Sequence, residues 1–480
     1  MRTPRALRWC SAVWLIAGWL MAVWIPAAAG TAGELGLADA AREALTANLD
    51  LAAQRRALAA DHEDIGLARA DLLPQIDIGG RAEYVEVDIN DRDRQTESER
   101  SLSAGAQLRQ ALYDESDWAD LGIQKHIYSG QEARFEAFRL TVVRDAANAF
   151  LELDRARALL DIEEHNRSLT ASNLETSQAR IAAGWSSQRE VLRWESQLAS
   201  NDSDIAEARK QVFVNRFELN RVRNRPAEDA ITPQPASVEE YGFAYARQRI
   251  VTAIAKPEGD RRLRDLMVRI GLPRSPDLMA IDAAIAAQER LYTSNKRAFW
   301  IPSFDMDASV DHSTTKDNGR GLAGSSSYNE TEVIVGAQVT FPLFEGGAKF
   351  AQLRQAREDL SSFRFQRRAL AQSIDQAIRA AFAQASGSYA QIDFARQQRA
   401  AAQRNYELVG ESYVLGVASI LSLLDAQSQL LTADQAVANA LYGFLEDLVD
   451  AEQQMSFYAF LESESEQLLD RVEMELESRP

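Results

Sequence analysis

Residues 183–198 read AGWSSQREVLRWESQL, and residues 415–430 read LGVASILSLLDAQSQL. Each stretch sets a glycine, Gly184 or Gly416, into a run that is otherwise helical in pattern, with a serine three residues on, Ser187 or Ser419. Glycine can leave a helix through a left-handed residue, and serine can cap the first turn of the helix that follows. Both stretches therefore predict a tight turn that reverses the chain between two helices. Both continue with an apolar pair, Val191-Leu192 or Leu423-Leu424, and close on Ser-Gln-Leu. The agreement points to a duplicated unit.

Working outward, two further landmarks repeat in the same order. Residues 50–74 read DLAAQRRALAADHEDIGLARADLLP, and residues 277–302 read DLMAIDAAIAAQERLYTSNKRAFWIP; both are alanine-rich, helical in pattern and closed by a proline. Leu112-Tyr113-Asp114 matches Leu343-Phe344-Glu345. The three landmarks lie 228, 231 and 232 residues apart, nearly in phase.

No proline interrupts the chain between Pro74 and Pro226, or between Pro342 and Pro480. From Asp114 to about Arg180, Phe135, Phe138, Val142, Ala149, Leu153, Ala156 and Leu160 follow a spacing of three and four, with one full heptad between Val142 and Ala149. In the second half the seam is Leu353, Ala356, Leu360, Phe363, Leu370, Ile374, Ala377 and Ala381, interrupted by Arg367. Such heptad-like seams predict coiled coil, and a helix of about 65 residues is roughly 100 Å long at 1.5 Å per residue. The returning helices are expected from about Ser187 to Arg225 and from Ser419 to about Glu462. Each half is then a long antiparallel hairpin with its tip at the glycine.

Between the first two landmarks the period falls to two. Ile76, Ile78, Ala82 and Tyr84 form one apolar row, and Leu102, Ala104, Ala106 and Leu108 another. Phe304, Met306, Ala308 and Val310 form a third, and Val333, Val335, Ala337, Val339 and Phe341 a fourth. The intervening residues are polar or charged, as a lipid-facing barrel with a watery lumen requires. A half-buried sheet in a soluble sandwich fits the alternation equally well. Residues 88–100 and 311–329 read as polar loops. Four strands cannot close a membrane barrel, for which about eight is the small limit, so the chain would have to associate with copies of itself.

The first 30 residues order Arg2, Arg5 and Arg8, an apolar run from Trp9 to Ile25, and Ala27-Ala28-Ala29-Gly30, as a secretory signal peptide does. A membrane anchor is the alternative, but the run ends at Pro26 and falls just short of a full span. Cys10, the only cysteine, lies early in that run, not at its end, so no lipid anchor is expected. Cleavage would leave no thiol for disulfides, catalysis or metal binding. The formal charge is −18. Loss of the three arginines takes it to about −21, which disfavours nucleic-acid binding. His62, His126, His165 and His312 share no metal-ligand spacing. Gly319 to Gly324 formally fits G-x-G-x-x-G but opens no helix, so it reads as a loop and not as a nucleotide site. No cofactor, metal site or enzymatic activity is expected.

The ordered, duplicated set of alanine-rich helix and proline, L-[Y/F]-[D/E] strand end and glycine tip resembles the TolC family of outer-membrane efflux proteins, from about Leu35 to Phe460. The resemblance implies a mainly α protein with a membrane β-barrel. It implies a homotrimer with a shared 12-stranded barrel in outer-membrane lipid and a helical tunnel through the periplasm. The tips, Ala183-Gly184-Trp185 and Leu415-Gly416-Val417, would dock a periplasmic adaptor (membrane fusion) protein serving an inner-membrane transporter. The family's prototype closes its entrance with a tyrosine, an acid and an arginine. Tyr413 matches the tyrosine, Glu190 sits where the acid would be, and the arginine's position falls on Ala418, so that ion pair is missing. The two acids at the prototype's narrowest point map to Ser422 and Asp425; one carboxylate per chain would still attract cations.

This organises the chain as a signal at 1–30, a first repeat at 31–225, a linker at 226–275, a second repeat at 276–462 and an acidic, mobile tail at 463–480. Residues Asn224 to Pro276 hold six of the twelve prolines, and the linker is expected to pack around the tunnel's middle. The functional expectation is a passive exit duct for efflux. The alternatives are the outer-membrane component of type I protein secretion, and a non-conducting trimeric coiled-coil surface protein. The returning hairpins argue against the last.

Overall fold

A computed structural model describes residues 34–87, 97–184, 187–317, 326–461 and 465–477. The expected signal peptide, the Gly319–Gly324 loop and Trp185 lie outside the described residues.

The first repeat runs α1 (Leu37–Ala47), α2 (Leu49–Ala70), β1 (Gln75–Val87), β2 (Glu97–Tyr113), α3 (Glu115–Ala182) and α4 (Gln188–Val222). After an intervening segment containing α5 (Val238–Tyr241), α6 (Gln248–Ile254) and α7 (Pro257–Gly271), the second repeat runs α8 (Pro276–Arg297), β3 (Ser303–Asp317), β4 (Ser326–Thr340), α9 (Ala348–Val414) and α10 (Ile420–Gln454). A last helix, α11, spans Ser465–Glu477. Among the described residues no helix is long and apolar enough to cross a membrane.

The long helices have 68 and 67 residues, each about 100 Å at 1.5 Å per residue. Asp114 starts α3 by accepting the amide of Ser116 at 2.7 Å, which satisfies one of the donors a helix N-terminus leaves open. At the far end Gly184 and Gly416 take φ +78° and +82°, which a side chain would strain. Ser419 caps α10 by accepting the amide of Ser422 at 3.2 Å. Ser187 occupies the equivalent position before α4 but its side chain makes no cap bond.

In α3, Val142, Ala149, Leu153 and Ala156 of the expected seam are buried. In α9 the seam differs by one residue: Ile378, Phe382 and Ala385 are buried where Ala377 and Ala381 were expected. The intervening segment sets this phase. Leu263 and Met267 of α7 share the main core with Ile378 and Phe382, and a Cβ on Gly271 would come within 3.0 Å of the Ile378 side chain. Arg367 interrupts the seam because it faces α8, pairing with Asp282 at 2.5 Å.

Three sequence expectations are corrected. Strands β2, β3 and β4 extend into the segments read as loops, since backbone pairing continues where side chains are polar on both faces. Helix α10 ends at Gln454, short of Glu462, because Ser456 turns the chain at φ +55° and tucks Phe457 and Tyr458 into the core. The tail expected to be mobile is α11, which buries Leu468, Leu469, Val472 and Leu476. Its acids pair with the intervening segment: Arg247 donates to Glu466 at 2.6 Å and to Asp470 at 2.7 Å.

Candidate functional site: an amphipathic sheet and a paired helical tip

The four strands form one antiparallel sheet in the order β1-β2-β3-β4. Cross-strand partners point to the same face. The register sets Ile76 against Leu108, Leu108 against Ala308, and Ala308 against Val335. All four apolar rows therefore share one face, where Ile78, Leu102, Val333 and Val335 are exposed. The opposite face sets Asp77 against Gln107, Arg109 against Asp307, and Asp311 against Glu332. Gly105 lies under the Asp311 carboxylate, which a Cβ would strike. One greasy and one charged face on an open sheet suit a wall between lipid and water.

The other end is the pair of helical turns. Ala183 ends α3, and Gly184 follows it in the left-handed turn. Leu415 and Val417 flank Gly416 and are 79% and 82% exposed. The Val417 amide donates to Ser412 O at 2.9 Å and the Gly416 amide to Tyr413 O at 3.0 Å, closing the turn. An apolar pair held out on a rigid turn can meet a partner but can perform no chemistry.

Tyr413 and Glu190 are brought together. The tyrosine is buried between the hairpins with Trp194, Ile420 and Leu423. Its hydroxyl donates to Glu190 Oε2 at 3.0 Å, linking α9 to α4. Burial, with the Glu190 carboxylate beside it, holds this phenol above its ordinary range. Ser422 and Asp425 lie elsewhere, on the exposed side of α10. Asp425 accepts a bond from Gln429 Nε2 at 2.8 Å, one turn on.

Two features escaped the sequence reading. One is Arg180, which donates to the carbonyl oxygen of Tyr413 and stacks 4.5 Å over its ring. The other is a buried polar layer about three to five turns behind the tip. Gln427 Nε2 donates to Asn166 Oδ1 at 2.8 Å and to Thr170 Oγ1 at 2.7 Å; Asn201 Nδ2 donates to Thr170 Oγ1 at 2.7 Å. Asn173 Nδ2 extends the layer to Gln427 Oε1 at 3.1 Å and to the Tyr406 hydroxyl at 3.2 Å, so all four long helices take part. Networks of this kind fix register in a helical core. The available signal was positional: Asn166, Thr170 and Ser177 prolong the α3 seam in polar residues. Among the described residues no group of three or more His, Cys, Asp or Glu side chains is placed to hold a metal ion.

A family model for outer membrane efflux proteins matches residues 40–224 and 270–452. Outer membrane protein TolC of Escherichia coli (strain K12) is 25% identical over 389 residues, covering 80% of this chain and 74% of that protein. Proteases secretion protein PrtF of Dickeya chrysanthemi is 23% identical, covering 68% of each chain. Among solved structures, the Campylobacter jejuni CmeC outer membrane channel superposes with a TM-score of 0.66 at 16% identity, covering 91% of this chain and 89% of that one.

Proposed function

The chain belongs to the outer membrane efflux protein family, and from that premise we propose that it is the exit duct of a tripartite efflux system, passively conducting substrates to the exterior. The family is one of outer-membrane channels, not enzymes. One observation carries the reading: a four-stranded sheet, apolar on one face and charged on the other, with two edges open among the described residues, is joined to two long helical hairpins. Open edges are not tolerated in lipid, and four strands are too few for a barrel. Three copies would supply twelve strands, closing a barrel whose apolar face meets outer-membrane lipid. The hairpins would then enclose a tunnel in the periplasm. Their tips, Ala183-Gly184-Trp185 and Leu415-Gly416-Val417, would dock an adaptor that delivers substrate from an inner-membrane transporter. Glu190 and Tyr413 would hold the entrance, and Ser422 and Asp425 would line its constriction. Energy would come from the transporter.

Planar-bilayer conductance of the purified mature protein tests this. Discrete cation-selective steps are expected. A silent membrane, even with the tips opened by mutation, would overturn the reading.

Protein export by type I secretion is the second reading. It is favoured by two relatives whose names describe protease secretion, PrtF and the alkaline protease secretion protein AprF of Pseudomonas aeruginosa. Cargo accumulating in a deletion strain separates the two: small toxic compounds for efflux, an unsecreted polypeptide for type I export.

A further inference from the structure

Tyr413 is gripped from two sides. Glu190 on α4 holds its hydroxyl, and Arg180, in the last turn of α3, holds its backbone carbonyl while the guanidinium covers the ring. That carbonyl belongs to the last turn of α9, where unsatisfied oxygens carry the negative end of the helix dipole. The Tyr413 oxygen already accepts the Gly416 amide, and the guanidinium gives it a further, charged donor, complements the dipole and adds a cation–π contact. Its Nε is buried without a hydrogen-bond partner, so the carbonyl and the ring hold the group at some cost in desolvation. Separating the two hairpins at the tip must break both grips on Tyr413.

We propose that Arg180 supplies the cation of the gate, latching α3 to Tyr413 within one chain and standing in for the arginine absent at Ala418. The proposal rests on the exit-duct reading and adds a residue to its gate. The latch works inside each subunit, so each hairpin pair can release on its own.

The test is single-channel recording on purified, assembled protein. Arg180→Gln keeps a donor but removes the charge; it is expected to raise the open fraction at least about threefold. Arg180→Lys, which keeps the charge but loses the planar stack, is expected to fall between this variant and the parent. Adding Ala418→Arg to Arg180→Gln is expected to return the open fraction toward the parent value, which a purely structural role for Arg180 would not produce. If Arg180→Gln fails to assemble, Arg180→Lys with and without Ala418→Arg carries the same comparison. A conducting parent whose open fraction is unmoved by these changes overturns the latch and leaves the duct standing. Silence in the parent and in every variant overturns the duct, and the latch with it.

Discussion

The hydroxyl of Tyr442 donates to Oδ2 of Asp154 at 2.8 Å, joining α10 to α3 across 288 positions of the chain. The same oxygen accepts the amide of Ala236, from the segment between the repeats, at 2.8 Å. One buried carboxylate thus ties three parts of the chain together. Burial still raises its pKa against these two donors. Tyr442→Phe should destabilise the fold by about 1–3 kcal/mol, the range for leaving a buried polar group short of a partner. A thermal unfolding midpoint equal to the parent's would remove the pair as an anchor.

Glu452 is 2% exposed and accepts the Ala459 amide at 3.2 Å. Burial pushes its carboxyl up to about 8. An acid raised on folding contributes stability below its unfolded pKa and loses it as pH rises through the folded value. The window is therefore from the ordinary glutamate range to about 8. Glu452→Gln should flatten the stability profile there, leaving the variant more stable relative to the parent at the alkaline end than at the acid end. Chemical unfolding at pH 5 and pH 8 checks this; parallel profiles would dismiss it.

Asp425 lies on the exposed side of α10, where it accepts a hydrogen bond from Gln429. If three copies face one another across the duct, Asp425→Lys should lower the preference for cations. The check is the reversal potential in a salt gradient, and an unchanged value would exclude a carboxylate ring.

Gly416 holds φ +82° in a turn that exposes Leu415 and Val417. Gly416→Val adds a strain of roughly 1–2 kcal/mol and a bulky group to a surface proposed to dock an adaptor. Export should be lost while assembled oligomers form in normal yield. Normal export would remove docking from the role of this turn.

Much of this architecture was legible because it follows from period and punctuation. Pro74 and Pro302 mark where helices give way to strands, and alternation from Phe304 to Val310 announces a two-faced sheet. Gly184 and Gly416 announce the turns because few other residues tolerate their backbone. The rest depends on long-range contact. The slip from Ala377 to Ile378 in the α9 seam comes from α7, more than a hundred residues earlier. The acids of α11 read as a solvated tail until Arg247, distant in sequence, is seen beside them. Arg180 is not legible because the resemblance points to an arginine after the second glycine, whereas this one precedes the first. The candidate site was thus legible in Tyr413 and Glu190 and not in the cation that completes their cluster.

The sheet order leaves the outer sides of β1 and β4 with no strand beside them among the described residues. A lone subunit entering the bilayer would carry two rows of bare amides and carbonyls into hydrocarbon, at several kcal/mol for each group. Insertion is then a collective event: its rate should climb with more than the first power of subunit concentration. A minority of subunits with a spoiled edge strand, co-expressed with normal ones, should poison assembly out of proportion to their number.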